Sequence, residues 1–187
     1  MTEILKEELW PEEKVLWSGR SDEFITLDST NKAAYIRRAI TILGIVIGLC
    51  LVYIVYVTSK GIELKLGLVG IAIAFAVLGS VNFYSDAKKL RRAFYAVTNK
   101  RIISIIDVPK SVEYARINAA QLKTDEDGHV SLLCGKKVIQ SKSHKWRMFA
   151  LLDPYIEPET GICERFALYA VSDAENLKKI LSDFLPV

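Results

Sequence analysis

Apolar and polar positions follow two different patterns along the chain. Residues 39–57 run for 19 positions without a formal charge, and residues 66–85 for another 20. Neither run carries the polar face that a half-buried helix of a soluble protein needs. As helices rising about 1.5 Å per residue, both match a hydrocarbon core of about 30 Å. The pattern predicts two membrane-spanning helices joined by a short turn over residues 58–65, a hairpin with both chain ends on one side. The first run begins only at residue 39 and no small-residue cleavage pattern follows it, which argues against a cleaved signal peptide.

Around the runs the pattern shortens. Residues 2–9 read as a short acidic helix stopped before Pro11. Residues 13–19 read as a strand and turn. Asp28, Ser29, Thr30 and Asn31 form a helix-start signal, and that helix is expected to continue through Arg37 and Arg38 into the first run. The second run is expected to continue outward over residues 85–92. From Ala93 the period changes towards two. Residues 94–98 and 101–107 predict strands joined by Asn99-Lys100, a two-residue hairpin in which Asn99 would take a positive φ. Further short strands are expected at residues 111–115, 120–124, 129–134, 137–140, 147–151 and 165–169. Asp125-Glu-Asp-Gly128 reads as a solvated turn, and residues 153–161 as a loop. Residues 172–185 predict a closing helix capped by Ser172 and Glu175, with Leu177, Ile180, Leu181 and Phe184 as its apolar stripe.

The fold class that follows is membrane α+β: a two-helix transmembrane hairpin plus a small β-barrel or sandwich capped by a C-terminal helix. Residues 1–30 form an N-terminal segment, 31–92 the hairpin and 93–187 the folded domain. Basic residues flank the outer ends of the runs: Arg20, Lys32, Arg37 and Arg38 before, and Lys88, Lys89, Arg91, Arg92, Lys100 and Arg101 after. The turn has only Lys60 and Lys65. By the positive-inside rule both termini are cytoplasmic. Tyr35, Phe83 and Tyr84 suit the inner interface, and Tyr53 and Tyr56 the outer one.

Glu13-Lys-Val-Leu-Trp-Ser-Gly-Arg20, Tyr95-Ala-Val-Thr-Asn-Lys-Arg-Ile-Ile103 and the closing helix over residues 173–181 carry a resemblance. Together with the two apolar runs, the chain resembles the bacterial pleckstrin-homology (PH)-domain membrane proteins. The resemblance implies a PH-like fold, two nearly perpendicular sheets capped by a C-terminal helix, in the bacterial inner membrane. Glu12 stands where the pattern has Gly, and residues 142–161 are longer and more irregular than it implies.

Composition narrows the chemistry. The 187 residues carry 25 Lys or Arg and 22 Asp or Glu, for a net charge of +3. Residues 85–187 hold 17 basic and 13 acidic side chains, net +4. That is too even for a nucleic-acid binder, which needs a strong basic stripe. Cys50, Cys134 and Cys163 are scattered, against both a disulfide framework and a zinc site. Neither run holds Asp, Glu, Lys, Arg or His, so a proton relay or ion pathway is not expected; Thr41, Ser80 and Asn82 are among their polar residues. His129 reads as an exposed strand residue, and neither it nor His144 has metal-ligand spacing. No nucleophile motif, phosphate loop or dinucleotide fingerprint is present. Catalytic residues, metal ligands and cofactors are therefore not expected.

Two sets of candidate contact residues remain. Gly44-x-x-x-Gly48, with Gly70 and Ala74 on the second run, offers small faces for helix packing. The first reading is that they pack the hairpin against itself; the second is that they meet another membrane protein or a second copy. Lys136, Lys137, Lys142, Lys145, Trp146 and Arg147 form a basic stretch with one amphipathic aromatic, suited to an anionic membrane surface or a partner. The expected function is a non-catalytic, membrane-anchored accessory or scaffold protein. The alternative is a module sensing anionic lipid headgroups, and a membrane enzyme or transporter subunit has the weakest support.

Overall fold

The computed structural model describes residues 2–25, 27–62 and 66–185. Helix α1 (Thr2–Glu8) leads to strand β1 (Val15–Arg20). Two long helices follow, α2 (Ser29–Lys60) and α3 (Leu66–Leu90). Strands β2 (Phe94–Thr98), β3 (Arg101–Ile105) and β4 (Pro109–Glu113) come next, then β5 (Ala119–Thr124) and β6 (Val130–Gly135). Helix α4 (Trp146–Leu151), β7 (Tyr155–Ile156), β8 (Cys163–Leu168) and α5 (Ala174–Leu181) complete the chain. The protein is α+β, with two antiparallel four-stranded sheets of order β1-β2-β3-β4 and β5-β6-β8-β7.

Period-two alternation explains how both sheets are used. Tyr95, Val97 and Ile102 point inward from the first sheet, and Leu132, Cys134, Phe166 and Leu168 from the second. Leu177 and Leu181 of α5 join this cluster, with Trp17 of β1. The alternate residues are also buried. Ala96, Ile103 and Ile105 are covered by Leu5 of α1. Leu133 and Ala167 are covered by Trp146, Phe149 and Ala150 of α4, together with Ala87 and Leu90 at the end of α3. Helix α3 is thereby packed into the second sheet, not loosely tethered to it.

A buried polar network locks the N-terminal segment onto the first sheet. Arg101 Nε donates to Glu13 Oε1 at 3.0 Å, and Nη2 to Oε2 at 3.1 Å. Nη1 donates to Ser111 Oγ at 2.9 Å, and the guanidinium lies over the Trp10 ring. The β2–β3 turn is closed by Thr98 Oγ1, which accepts from the N–H groups of Lys100 and Arg101. Asn99 does not take a positive φ. Its Oδ1 accepts from Lys14 N at 2.8 Å, so it ties β1 to the turn instead.

Several local expectations are corrected. Residues 147–151 form a helix, because Trp146, Phe149 and Ala150 recur at helical spacing against the second sheet. Residues 137–140 form no strand; Gln121 Nε2 donates to the Ile139 carbonyl where ladder pairing was expected. The loop over residues 153–161 contains the short β7. Strand β4 begins two residues early and gives way to a 3₁₀ turn, Tyr114–Arg116. Ser172 does not cap α5. Its hydroxyl donates to the Arg20 carbonyl at 2.8 Å, and the helix starts after Asp173, whose φ is +59°. The expected turn residues Glu63 and Lys65, and the side chains of Ser80, Asn82, Phe83 and Tyr84, lie outside the described residues.

Helix α2 holds the long apolar surface. Over its apolar stretch only 6% of residues are buried, and residues 32–60 are long and apolar enough to cross a membrane. Of the less exposed positions, Ala39, Ile42, Val46, Cys50, Tyr53 and Val57 form a helical stripe, with half-buried Gly48 beside it, and α2 contacts α3.

Candidate functional site

The 3₁₀ turn Ser143–Lys145 lies against the first turns of α2. Between them runs a groove of about 510 Å³ lined by Ala33, Ala34, Arg37, Arg38, Thr41, Ile42, Lys142 and His144. Helical geometry builds its α2 wall. Ala34, Arg38 and Ile42 are spaced by four, as are Ala33, Arg37 and Thr41, so two adjacent rows face the turn. The small side chains of Ala33 and Ala34 leave room beside it. No acid lines the groove, and among the described residues none of Arg37, Arg38 and Lys142 lies in an ion pair. A second, more apolar crevice of about 250 Å³ adjoins it, sharing Ala34, Arg38 and His144, floored by Ala87, Leu90, Met148 and Leu151, and bordered by the Asp86 carboxylate.

The basic stretch singled out in the sequence is divided by the fold. Lys142 and Lys145 are exposed. Lys136 Nζ sits 2.7 Å from Glu157 Oε2, a contact that holds the Glu157 carboxyl below its ordinary range. Lys137 borders a shallow depression with Val138, Phe149 and Arg165. Trp146 and Arg147 are turned inward, with 4% and 6% of their surface exposed. The Trp146 indole N–H donates to the Ser141 carbonyl at 3.1 Å. Arg147 forms a buried ion pair with Asp28, and its guanidinium lies 4.4 Å from the Phe24 ring centre and 4.9 Å from that of Tyr169. These two residues are therefore corrected from surface contacts to core ones.

The small-residue faces are also placed. A Cβ added at Gly44, Gly48 or Gly70 would meet nothing within 4 Å. Ala74 is exposed. Among the described residues no neighbour stands against the Cβ position of these glycines, and Gly48 is half-buried beside the covered stripe of α2.

A third cluster departs from the solvated turn expected at residues 125–128. Asp125 is buried, not solvated: its Oδ1 accepts from the N–H groups of Asp127 and His129 at 3.0 and 2.9 Å. The Tyr169 hydroxyl lies 3.3 Å from Oδ2. His129 is half-buried, edge-on to Phe24, with Nε2 3.1 Å from the Glu23 carbonyl oxygen. Asp125, Asp127 and His129 bring potential ligand atoms within 4.8 Å of one another, a grouping not expected from their spacing. The hydrogen bonds to Asp125 give it a structural task, closing the β5–β6 turn over Tyr169.

Arg37 and Arg38 were legible only as an orientation signal. Their meeting with Lys142 and His144 depends on a contact across more than a hundred residues, although two arginines at the foot of an apolar run were a usable hint. Comparison of the chain with protein-family models, with curated proteins and with solved structures finds no match.

Proposed function

We propose that the protein is a non-catalytic, membrane-anchored accessory protein. In this reading α2 and α3 cross the bacterial inner membrane as a hairpin with both termini in the cytoplasm. The two-sheet body, a PH-like fold, holds another membrane protein or a second copy at the inner face. The observation that carries the reading is the bare apolar surface of α2, which needs lipid or protein to cover it. The packing of Ala87 and Leu90 beneath α4 supports a body held rigidly at the membrane surface. Gly44 and Gly48, where an added Cβ would meet nothing within 4 Å, leave α2 a smooth strip on which a second helix can lie close. The thiols of Cys134 and Cys163 are both pushed up by burial, so they are protonated and unsuited to nucleophilic work. Gentle detergent extraction followed by mass spectrometry tests the proposal. A membrane protein recovered in stoichiometric amount, or a homo-oligomer, is the expected result. A monomer recovered with no protein partner would contradict it.

A further inference from the structure

We infer that the groove between α2 and the Ser143–Lys145 turn binds the phosphate of an anionic lipid headgroup. The inference rests on the proposed reading of α2 as a membrane span and specifies what the body meets at the bilayer. Three observations converge. The groove gathers Arg37, Arg38 and Lys142 with the His144 imidazole and no acid in its own lining; the single carboxylate of the adjoining crevice, Asp86, stands against these three cations and leaves the pair of clefts net positive. None of the three cations is spent on an ion pair among the described residues. Its upper end is Thr41 and Ile42, in the first turn of the apolar run, which sets the cations at headgroup depth and not out in the cytoplasm.

The chemistry fits a phosphodiester. Arginine presents a planar fork of donors matched to phosphate oxygens, and lysine adds a point charge. Two of the three cations, Arg37 and Arg38, come from the anchor and one, Lys142, from the body. A bound headgroup therefore bridges the two and fixes the tilt of the body over the membrane. A piece of the protein without α2 lacks Arg37 and Arg38 and is expected to bind acidic vesicles weakly.

The test uses the full chain, purified in a zwitterionic detergent and reconstituted into nanodiscs of phosphatidylcholine with or without phosphatidylglycerol. Lipid retained by the protein is read by native mass spectrometry. Each basic residue near the headgroups is worth about fivefold in affinity, so three give a preference for phosphatidylglycerol on the order of a hundredfold. The triple change Arg37→Gln, Arg38→Gln, Lys142→Gln is expected to abolish it. The charge-preserving triple Arg37→Lys, Arg38→Lys, Lys142→Arg is expected to keep it, which separates charge recognition from damage to the fold. Equal retention of both lipids by the wild type, or an unchanged preference in the glutamine variant, would overturn the inference. So would displacement of phosphatidylglycerol by inorganic phosphate alone, since the ligand would then be a soluble anion. Alkaline carbonate extraction of native membranes is run in parallel. Release of the protein would refute the membrane span itself, whereas retention without headgroup preference refutes only the groove.

Discussion

Arg101 and Glu13 meet as a paired fork: Nε to Oε1 at 3.0 Å and Nη2 to Oε2 at 3.1 Å, with the Glu13 side chain wholly out of water. The pair joins β3 to the segment between α1 and β1, and so determines whether the N-terminal residues belong to the first sheet. Removing one partner from a buried pair leaves the other charge stranded, at a cost of about 3–5 kcal/mol. Arg101→Met is expected to destabilise the body by that amount and to expose residues 2–14 to protease before the sheets unfold. Urea unfolding monitored by tryptophan fluorescence, with limited proteolysis alongside, provides the check.

Acid sensitivity follows from the same pair. Burial alone would raise the Glu13 carboxyl, but hydrogen bonds from Arg101, from the Trp10 N–H and from the Thr98 hydroxyl outweigh it and hold the group below its ordinary 4.5. A depressed folded-state pKa contributes stability above the unfolded value and loses it as pH falls through the folded one. Glu13→Gln should therefore be less stable than the wild type at about pH 7, and the gap should narrow at about pH 3. Unfolding midpoints measured against pH for both proteins decide this; a constant gap would contradict it.

Arg147 and Asp28 are the corresponding clasp between α4 and the start of α2, with 7% and 5% of their side-chain surface exposed. Arg147→Ala removes the ion pair and the cover over the Phe24 and Tyr169 rings. The expected loss is again about 3–5 kcal/mol. Arg147→Met, with Asp28→Asn added, should recover part of it, because the volume is filled and no buried charge is left unpaired. Thermal melts of the single and double variants measure the difference.

How much of this was visible in the chain depended on distance along it. Residues 94–98 and 101–105 are runs rich in β-branched and aromatic side chains around a two-residue turn, so β2 and β3 were legible from local composition. The apolar content of α2 was legible for the same reason. Residues 137–151 were not. Trp146, Phe149 and Ala150 span barely more than one turn, too short for a period to declare itself, and their apolar content suited a strand equally well. The partners of Arg101 and Arg147 lie 88 and 119 residues away, so nothing nearby marked them as buried. Lys142 was found as a basic surface residue, but the groove it forms with Arg37 and Arg38 exists only once α4 has docked beside α2 and α3.

Gly44 and Gly48 provide a test of association separate from folding. Because a Cβ at either position meets open space, Gly44→Leu with Gly48→Leu should leave the unfolding midpoint of the monomer unchanged or slightly raised, by about 1 kcal/mol per glycine removed from a helix interior. Association with a partner or a second copy should fall at the same time, since bulky side chains hold helix backbones apart. Analytical ultracentrifugation in detergent, paired with melts, separates the effects. A loss of monomer stability would mean that this strip packs within the chain after all.

The arrangement of α2 and α3 across the bilayer is the claim on which the rest depends. Ser59, at the far end of α2 from the body, is exposed, and its hydroxyl donates to the Tyr56 carbonyl of its own helix at 2.8 Å. Ser59→Cys in a Cys50→Ser background, with Cys134 and Cys163 left in the core, provides a single accessible thiol. A membrane-impermeant maleimide applied to intact spheroplasts should label it, and the same reagent applied to sealed inside-out vesicles should not. Labelling from the cytoplasmic side in inside-out vesicles, with spheroplasts unlabelled, would contradict the account.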